Sequence, residues 1–364
     1  MNSWILPRYV IRSALFAMLG AVVGLWLLQM VFAYLSEMEN LSETYRLSDA
    51  WWYIFYRSPY FLVQFIPTGA LLGVVVGLGL LAGNSELVVM RAAGISVYRI
   101  IGWAMLPAFL FVLISLSINQ FILPISSQKA AAITGSGSDG KLIAVNGYWS
   151  VEQHDSGTDI VYISYADSQG KLGQTKRYHL DNNANLTQAI SASGGDYIFA
   201  KDPKDKDHVW QLQDVNRVTI NSWGVMQGHD DKETLKLPIA PTDVHLLTRD
   251  AEDLSLSDLY AHKRLMDSQN LRSLRHELAF WQKLFSPFAV LSLVLVASSF
   301  VFGSLRSQGL GLRIVMALLT GLLFSYLTDL LGFVALAYKL SPVLMSALPI
   351  VISAVVGVWL LNRR

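Results

Sequence analysis

Cysteine is absent from the sequence, which excludes disulfide bonds and thiolate metal sites. Charge is also scarce, since Asp, Glu, Lys and Arg make up 15% of the residues. The 28 basic residues nearly balance the 27 acidic ones, so the bulk charge indicates neither nucleic acid nor an anionic surface as a partner. Hydrophobic residues dominate the composition instead and make up 53% of the chain.

Motifs for catalysis and metal binding are missing as well. The seven histidines form no His-x-x-x-His pair and no His-Glu-x-x-His motif, and no Gly-x-Ser-x-Gly elbow is present. Residues 135–141 come close to a phosphate-binding loop, but Leu142 stands where a magnesium-binding Ser or Thr is needed. We interpret this run as a hinge. The sequence therefore predicts a protein that is not an enzyme and holds no metal or cofactor of its own.

Long runs without charge place the chain in a membrane. Five of them exceed the roughly 20 residues that cross a bilayer core, at residues 13–36, 58–85, 100–128, 284–305 and 340–362. A sixth run, at 312–338, is interrupted only by Arg313 and Asp329. The sequence thus predicts six transmembrane helices.

Basic residues near the ends of these runs give the orientation. If the spans alternate, one side carries Arg8, Arg12, Arg91, Arg99, Arg306, Arg313, Arg363 and Arg364. By the positive-inside rule this side is the cytoplasm, so we expect both termini there. The polar segment between the third and fourth spans then lies outside.

That polar segment, residues 129–270, has the pattern of a sheet. Apolar and polar residues alternate at 160–165, 196–200 and 208–213, and turn-forming Asn, Gly and Ser separate these stretches. We predict an α-helical membrane protein with six transmembrane helices, three on each side of an inserted all-β, jellyroll-like domain. The predicted domains are 1–128, 129–270 and 271–364.

A short charged segment at residues 84–94 separates the second and third spans. Asn84 or Ser85 can cap a helix there, Glu86 lies in the first turn where the helix dipole favours an anion, and Gly94 suits a left-handed stop. We predict a cytoplasmic helix that a partner outside the membrane can push. The sequence combines such a lever helix with no motif for converting energy. This combination indicates a transporter subunit that is driven by a partner.

Two further features of the spans have open roles. Gly73-x-x-x-Gly77 and Gly79-x-x-x-Gly83 permit close helix packing, either against a neighbouring helix of this chain or in an intersubunit or moving seam. Asp329 lies about 24 Å along the fifth span from its cytoplasmic start, counted at 1.5 Å per residue. It can pair with a partner helix, reach the headgroup layer or couple a proton.

Three segments, residues 71–94, 281–289 and 299–306, resemble the LptF/LptG permeases of the lipopolysaccharide export transporter, and are more similar to the G-type subunit. The similarity covers the whole chain; in the sheet domain it depends on position and on residues 147–149. It implies a bacterial inner-membrane heterodimer with an F-type sibling, two copies of a cytoplasmic ATPase that bind ATP and magnesium, and periplasmic bridge proteins. It also implies extraction of lipopolysaccharide from the outer leaflet and its transfer to that bridge.

The resemblance assigns roles to residues of this chain. Glu86 matches the coupling-helix glutamate that contacts an arginine of the ATPase. The expected coupling surface consists of Glu86, Leu87, Met90, Arg91 and Gly94. Helices 1 and 5 are expected to form a cavity for acyl chains with the sibling, and the expected lipid-binding residues are Leu25, Phe65, Phe324, Tyr326 and Lys129.

One departure from the family concerns the end of helix 1. Well-known members carry several lysines there that face lipid phosphates, whereas residues 33–40 hold no base and include Glu37 and Glu39. Headgroup recognition must therefore differ, or fall to Lys129 and the sibling. Two other functions stay open at this point. The chain could be an ABC membrane subunit that transmits force to a periplasmic protein without moving lipid, or it could be a membrane scaffold or sensor.

Overall fold

A computed structural model describes residues 4–41, 45–135, 148–154, 157–164, 171–198, 208–221, 223–237, 246, 249–268, 272–303 and 308–362. The chain divides into two compact units, and each is described by itself. The first contains Met1–Thr134, Ser255–Leu259 and Ser273–Arg364, and the second contains Gly135–Leu254 and Tyr260–Arg272. The hinge predicted at residues 135–141, and Arg306, Arg363 and Arg364, lie outside the described residues except for Gly135.

The described helices are α1 (Ile5–Glu37), α2 (Leu47–Gly83), α3 (Glu86–Ala92), α4 (Val97–Ser117), α5 (Leu123–Gly135), α6 (Leu256–Ser268), α7 (Leu274–Phe302), α8 (Leu310–Ala337) and α9 (Pro342–Asn362). Six stretches of helix are long and apolar enough to cross a membrane. They are α1, α2, α4 with the start of α5, α7, α8 and α9. The six-span prediction is confirmed.

Helix α2 starts earlier than the sequence predicts. Residues 36–56 mix acids with several aromatic side chains, which is typical of a segment along the membrane surface, but from Leu47 onward they belong to the second span. The Asp49 carboxylate accepts a hydrogen bond from the Arg46 backbone N–H at 2.9 Å and so satisfies a donor at the helix start. The aromatic residues that suggested an interfacial segment therefore lie on the first turns of a 37-residue helix.

The third span is not one unbroken α-helix. A π-helical turn at Ile118–Ile122 connects α4 to α5, and the Leu123 N–H donates to the Ile118 carbonyl. Within this turn, Gln120 donates through Nε2 to the Oγ of Ser257, 2.7 Å away at the start of α6. Because α5 continues to Gly135, Lys129 lies on a helix rather than at the start of the sheet domain.

Glycines let α1 and α2 approach closely. Gly73 faces the backbone of Met18, and a Cβ on Gly77 would stand 3.0 Å from the Cα of Ala14. Gly69 extends the same row by one more turn. The prediction that the first glycine pair packs against a helix of this chain is confirmed.

The second glycine pair behaves differently. A Cβ on Gly79 would meet the Cδ1 of Leu310 in α8 at 2.6 Å, whereas a Cβ on Gly83 would meet no atom within 4 Å in the described structure. A second contact joins α8 to α2, where Gly321 faces Thr68. Both α1 and α8 thus pack on α2.

The membrane core lies where α2, α4 and α7 meet. A hydrogen bond of 2.7 Å from Ser353 to Ser292 attaches α9 to α7. The fully buried core side chains include Leu71, Val74, Val75, Leu78, Ile100, Ala104, Leu293, Val294 and Ala297.

The second unit is an antiparallel sheet, which confirms the inserted β domain. Its described strands are β1 (Tyr148–His154), β2 (Gly157–Ile163), β3 (Lys171–Leu172), β4 (Thr175–Leu180), β5 (Leu186–Ile198), β6 (His208–Asn221) and β7 (Gly224–Leu237). The sheet order is β1-β2-β4-β5-β6-β7, and β3 pairs with β5. Its core side chains are Val161, Ile163, Leu172, Ile190, Ala192, Trp210, Leu212, Val215 and Leu235.

Candidate functional site

Helix α3 has an inward and an outward face. Leu87 and Met90 are 3% and 5% exposed and belong to the membrane core, while Val88 and Val89 are 64% and 67% exposed. Arg91 is exposed beside them. Two of the five expected coupling residues therefore anchor the helix, and the exposed valines were missed because the sequence is apolar at four successive positions.

The start of α3 is not capped by a side chain, so that prediction is wrong. Asn84 ends α2, and Ser85 adopts a left-handed conformation with φ of 62° and no capping hydrogen bond. The Asn84 Nδ2 instead donates to the Glu86 Oε1 at 3.3 Å, and Tyr9 of α1 hydrogen-bonds the same carboxylate. Glu86 is thus half-buried at the junction of α1, α2 and α3.

The end of α3 is a Schellman motif. Gly94 has φ of 87°, and its N–H donates to the Arg91 carbonyl at 3.0 Å. The Ile95 N–H donates to the Met90 carbonyl at 3.1 Å. The predicted left-handed stop is confirmed, and Gly94 shapes the turn because other residues tolerate this conformation poorly.

These features leave α3 with a small exposed surface. Two exposed valines flanked by the charged side chains of Glu86 and Arg91 combine apolar area with polar orientation, as protein interfaces do. Only two residues separate α3 from α2, and its inner face is set in the core. Helix α3 is therefore attached to α2 both by a two-residue turn and by packing in the core.

Four of the five expected lipid-binding residues lie on three spans. Leu25, Phe65 and Phe324 are half-buried, Leu25 and Phe324 pack against the membrane core, and Tyr326 is 64% exposed. In the most apolar stretches of α1 and α8, 11% of the residues are buried, against 67% in α2. The faces of α1 and α8 that turn away from α2 are therefore open apolar surfaces.

Lys129 is exposed on α5, with its Nζ 5.5 Å from the centre of the Tyr56 ring. A second cation lies on the next turn of α2, where the Arg57 guanidinium is 4.7 Å from the Tyr60 ring. Both distances suit cation–π contacts. Arg57 was missed in the sequence, although its three-residue spacing from Tyr60 places the two side chains on one helix face.

The acids near the end of α1 take part in local structure. The Tyr45 hydroxyl donates to the Glu37 Oε1 at 3.1 Å, and burial together with this hydrogen bond raises the pKa of Tyr45.

Asp329 is exposed on α8. Its role stays a prediction.

The β unit holds a buried ionic cluster that the sequence did not reveal. Asp159 is 5% exposed on the core face of β2 and contacts Arg177 Nε at 3.2 Å and His179 Nδ1 at 2.6 Å. Burial acts to raise the pKa of Asp159, but the hydrogen bonds from Arg177 and His179 outweigh it and lower the pKa. In the described part of the chain, no three His, Asp or Glu residues come together as a metal site.

Six apolar spans, an inserted sheet and a lever helix between two spans define the class as a permease-type subunit of a membrane transporter. The chain belongs to the family described as lipopolysaccharide export system permease LptF/LptG, which it matches over residues 8–363. It is 28% identical to the lipopolysaccharide export system permease protein LptG of Haemophilus influenzae over 366 residues, which cover 99% of this chain and 98% of the relative. It is 27% identical to LptG of Escherichia coli K12 over 368 residues, with the same coverage.

Proposed function

We propose that this chain is the G-type permease subunit of a lipopolysaccharide export complex. It would lie in the bacterial inner membrane with both termini in the cytoplasm, paired with an F-type sibling and driven by two copies of a cytoplasmic ATPase. The observation that carries the proposal is the family match across nearly the entire chain, together with two relatives of the G type.

The lever helix supplies the connection to the ATPase, which would bind ATP and magnesium. The ATPase contacts the Glu86 carboxylate and the exposed valines of α3, and Leu87 and Met90 transmit the resulting motion into the core. Because Gly73 and Gly77 hold α1 against α2, this motion reaches α1 as well. Small movements at α3 thus change the shape of the lipid-facing surface.

The open faces of α1 and α8 supply the lipid cavity, which the sibling's helices complete. Acyl chains gain free energy there from apolar contact with residues such as Leu25, Phe65, Phe324 and Tyr326. Lys129 supplies positive charge for a headgroup phosphate, since helix α1 provides none at its end. Closure of the cavity then expels the lipid towards the β domain and the periplasmic bridge.

The test reconstitutes the chain with its sibling and the ATPase in proteoliposomes that contain lipopolysaccharide. We expect the complex to hydrolyse ATP faster when lipopolysaccharide is present and to release it to a periplasmic acceptor. Val89→Asp should weaken both effects, because it places a charge in the apolar contact with the ATPase. The matched control is Ile5→Asp, which introduces the same charge at a 65% exposed apolar residue outside the charge-free runs and should leave ATPase association unchanged.

The outcome also separates the two other functions. A subunit that only works a periplasmic protein would hydrolyse ATP without releasing lipopolysaccharide to the acceptor. A scaffold or sensor would show no ATP hydrolysis stimulated by lipid. Either result would overturn the proposal.

A further inference from the structure

The hairpin of β6 and β7 ends in exposed apolar side chains. Trp223, in the connecting turn, is 97% exposed, and Val225 and Met226 are 63% and 65% exposed. Ile220 adds a fourth apolar side chain that is 37% exposed. Exposed apolar side chains that cluster in this way mark an interaction site rather than ordinary surface.

The apolar character extends to both faces of the hairpin tip. Ile220 pairs with Val225, and Thr219 pairs with Met226 in the next register position. Since successive residues of a strand point to opposite faces, Val225 and Met226 lie on opposite sides of the sheet. A strand that packs on a second sheet shows one apolar and one polar face, so a flat protein surface would leave half of this tip in water.

Charge is absent from the tip and begins behind it. Residues 218–228 contain no Asp, Glu, Lys, Arg or His. At about 3.3 Å per residue, the uncharged end is roughly 13 Å long. The first charges behind it are Arg217, 2.7 Å from Glu233 and 3.5 Å from Asp230, and the neighbouring His229.

We propose that the tip of this hairpin, residues 220, 221 and 223–226, inserts into the interfacial layer of a lipid bilayer. A bilayer surrounds an inserted knob on all sides, which suits side chains exposed on both faces. Tryptophan is enriched at the boundary between headgroups and acyl chains, where its ring is buried and its N–H stays hydrated. The length without charge matches a shallow insertion that leaves Arg217 and its acidic partners in water.

Such an insertion gives the β unit an attachment of its own to the lipid surface. Burying the side chains of Trp223, Val225 and Met226 favours insertion by the hydrophobic effect. The tip carries no cation for an anionic headgroup, so the attachment does not depend on the charge of the lipid. This attachment goes beyond coupling to the ATPase and does not depend on it.

The missing cysteines make the test direct. Met226→Cys gives one site for a nitroxide spin label in the full chain, which is purified with its sibling into nanodiscs of phosphatidylethanolamine with a minority of phosphatidylglycerol. Oxygen concentrates in the acyl layer, whereas a charged nickel chelate stays in water. We expect the label to collide more often with oxygen than with the chelate. A label at Asp231→Cys on the same hairpin, where the native side chain is 99% exposed, should show the opposite preference.

A second variant checks the cause. In the Met226→Cys background, Trp223→Ser should make the label accessible to the chelate. This substitution does not threaten the fold, because Trp223 packs against little of the structure. Equal access of the chelate to both label sites would overturn the proposal. A label at residue 226 that is immobilised and shielded from both reagents would also overturn it, because this pattern indicates a protein pocket instead of lipid.

Discussion

At the scale of single residues, the Asp159 cluster, formed by Asp159, Arg177 and His179, predicts a stability that depends on pH. The folded pKa of Asp159 is lowered, so its contribution is present above the unfolded pKa of about 3.9 and is lost as the pH falls through the folded pKa. Asp159→Asn should lower the free energy of unfolding of the β domain by about 2 kcal/mol at pH 7. Thermal unfolding at pH 7 and below pH 4 checks it, and the difference from wild type should shrink in acid.

The control for the Asp159 variant is Asp181→Asn. Asp181 also has a lowered pKa, chiefly because it accepts the backbone N–H of Asn185, but it lies at the turn between β4 and β5 and is less buried than Asp159. Its replacement should change unfolding less than that of Asp159. A destabilisation by Asp159→Asn that is equal at pH 7 and in acid would contradict the ionic explanation.

Lys129 carries a second prediction at this scale. Lys129→Glu should weaken lipopolysaccharide binding by the reconstituted complex roughly tenfold, the scale of one charge-assisted contact. Replacement of Glu37 and Glu39 by Gln should have a smaller effect, because Glu39 is exposed and well screened and Glu37 already accepts a hydrogen bond from Tyr45. If the Lys129→Glu complex binds lipopolysaccharide with wild-type affinity, Lys129 does not bind the headgroup, and headgroup recognition belongs to the sibling subunit.

At the scale of elements, α3 predicts how the ATPase is held. Glu86→Gln removes the charge but keeps the side-chain length, and we expect about tenfold weaker ATPase association with an intact fold. Asn84→Ala is the control, since it removes the contact within the chain and keeps the carboxylate. Co-purification measures both variants, and normal ATPase recovery with Glu86→Gln would count against this role of α3.

The α1–α2 contact gives a prediction about packing. Gly73→Ala places a methyl group against the backbone of Met18 and should cost about 1–3 kcal/mol, the usual range for overpacking. Gly83→Ala adds the same group to the same helix where no atom stands within 4 Å in the described structure, so it should be neutral or mildly stabilising. Thermal unfolding of the two variants in detergent compares them directly. Equal stability would mean that α1 and α2 can separate without cost.

The elements also show what a sequence can and cannot predict. Charge-free length predicts the spans well, because a bilayer demands it of every helix that crosses. The orientation of α3 is different: residues 87–90 are all apolar, so only packing in the membrane core decides that Leu87 and Met90 turn inward. The Asp159 cluster was missed for a similar reason, since it depends on a register that pairs Asp159 with His179 across two strands.

At the scale of the whole molecule, the open faces of α1 and α8 predict where lipid binds. A photo-crosslinker at Tyr326 in the assembled complex should capture lipopolysaccharide. One at Val355 of α9, which is 62% exposed, should capture phospholipid alone. Mass spectrometry of the crosslinked products distinguishes the two lipids, and lipopolysaccharide at neither position would remove α8 from the cavity.

The π-helical turn at Ile118–Ile122 divides the third span into two helical phases. One extra residue in a turn rotates everything beyond it by about 100° relative to an unbroken α-helix. The face of α5 that brings Lys129 to Tyr56 is therefore out of phase with the buried stripe of α4. Substitution tolerance along this span should therefore keep the same 3.6-residue period on both sides, but the tolerant face should shift in phase between Ser117 and Leu123, as though two shorter helices had been joined end to end.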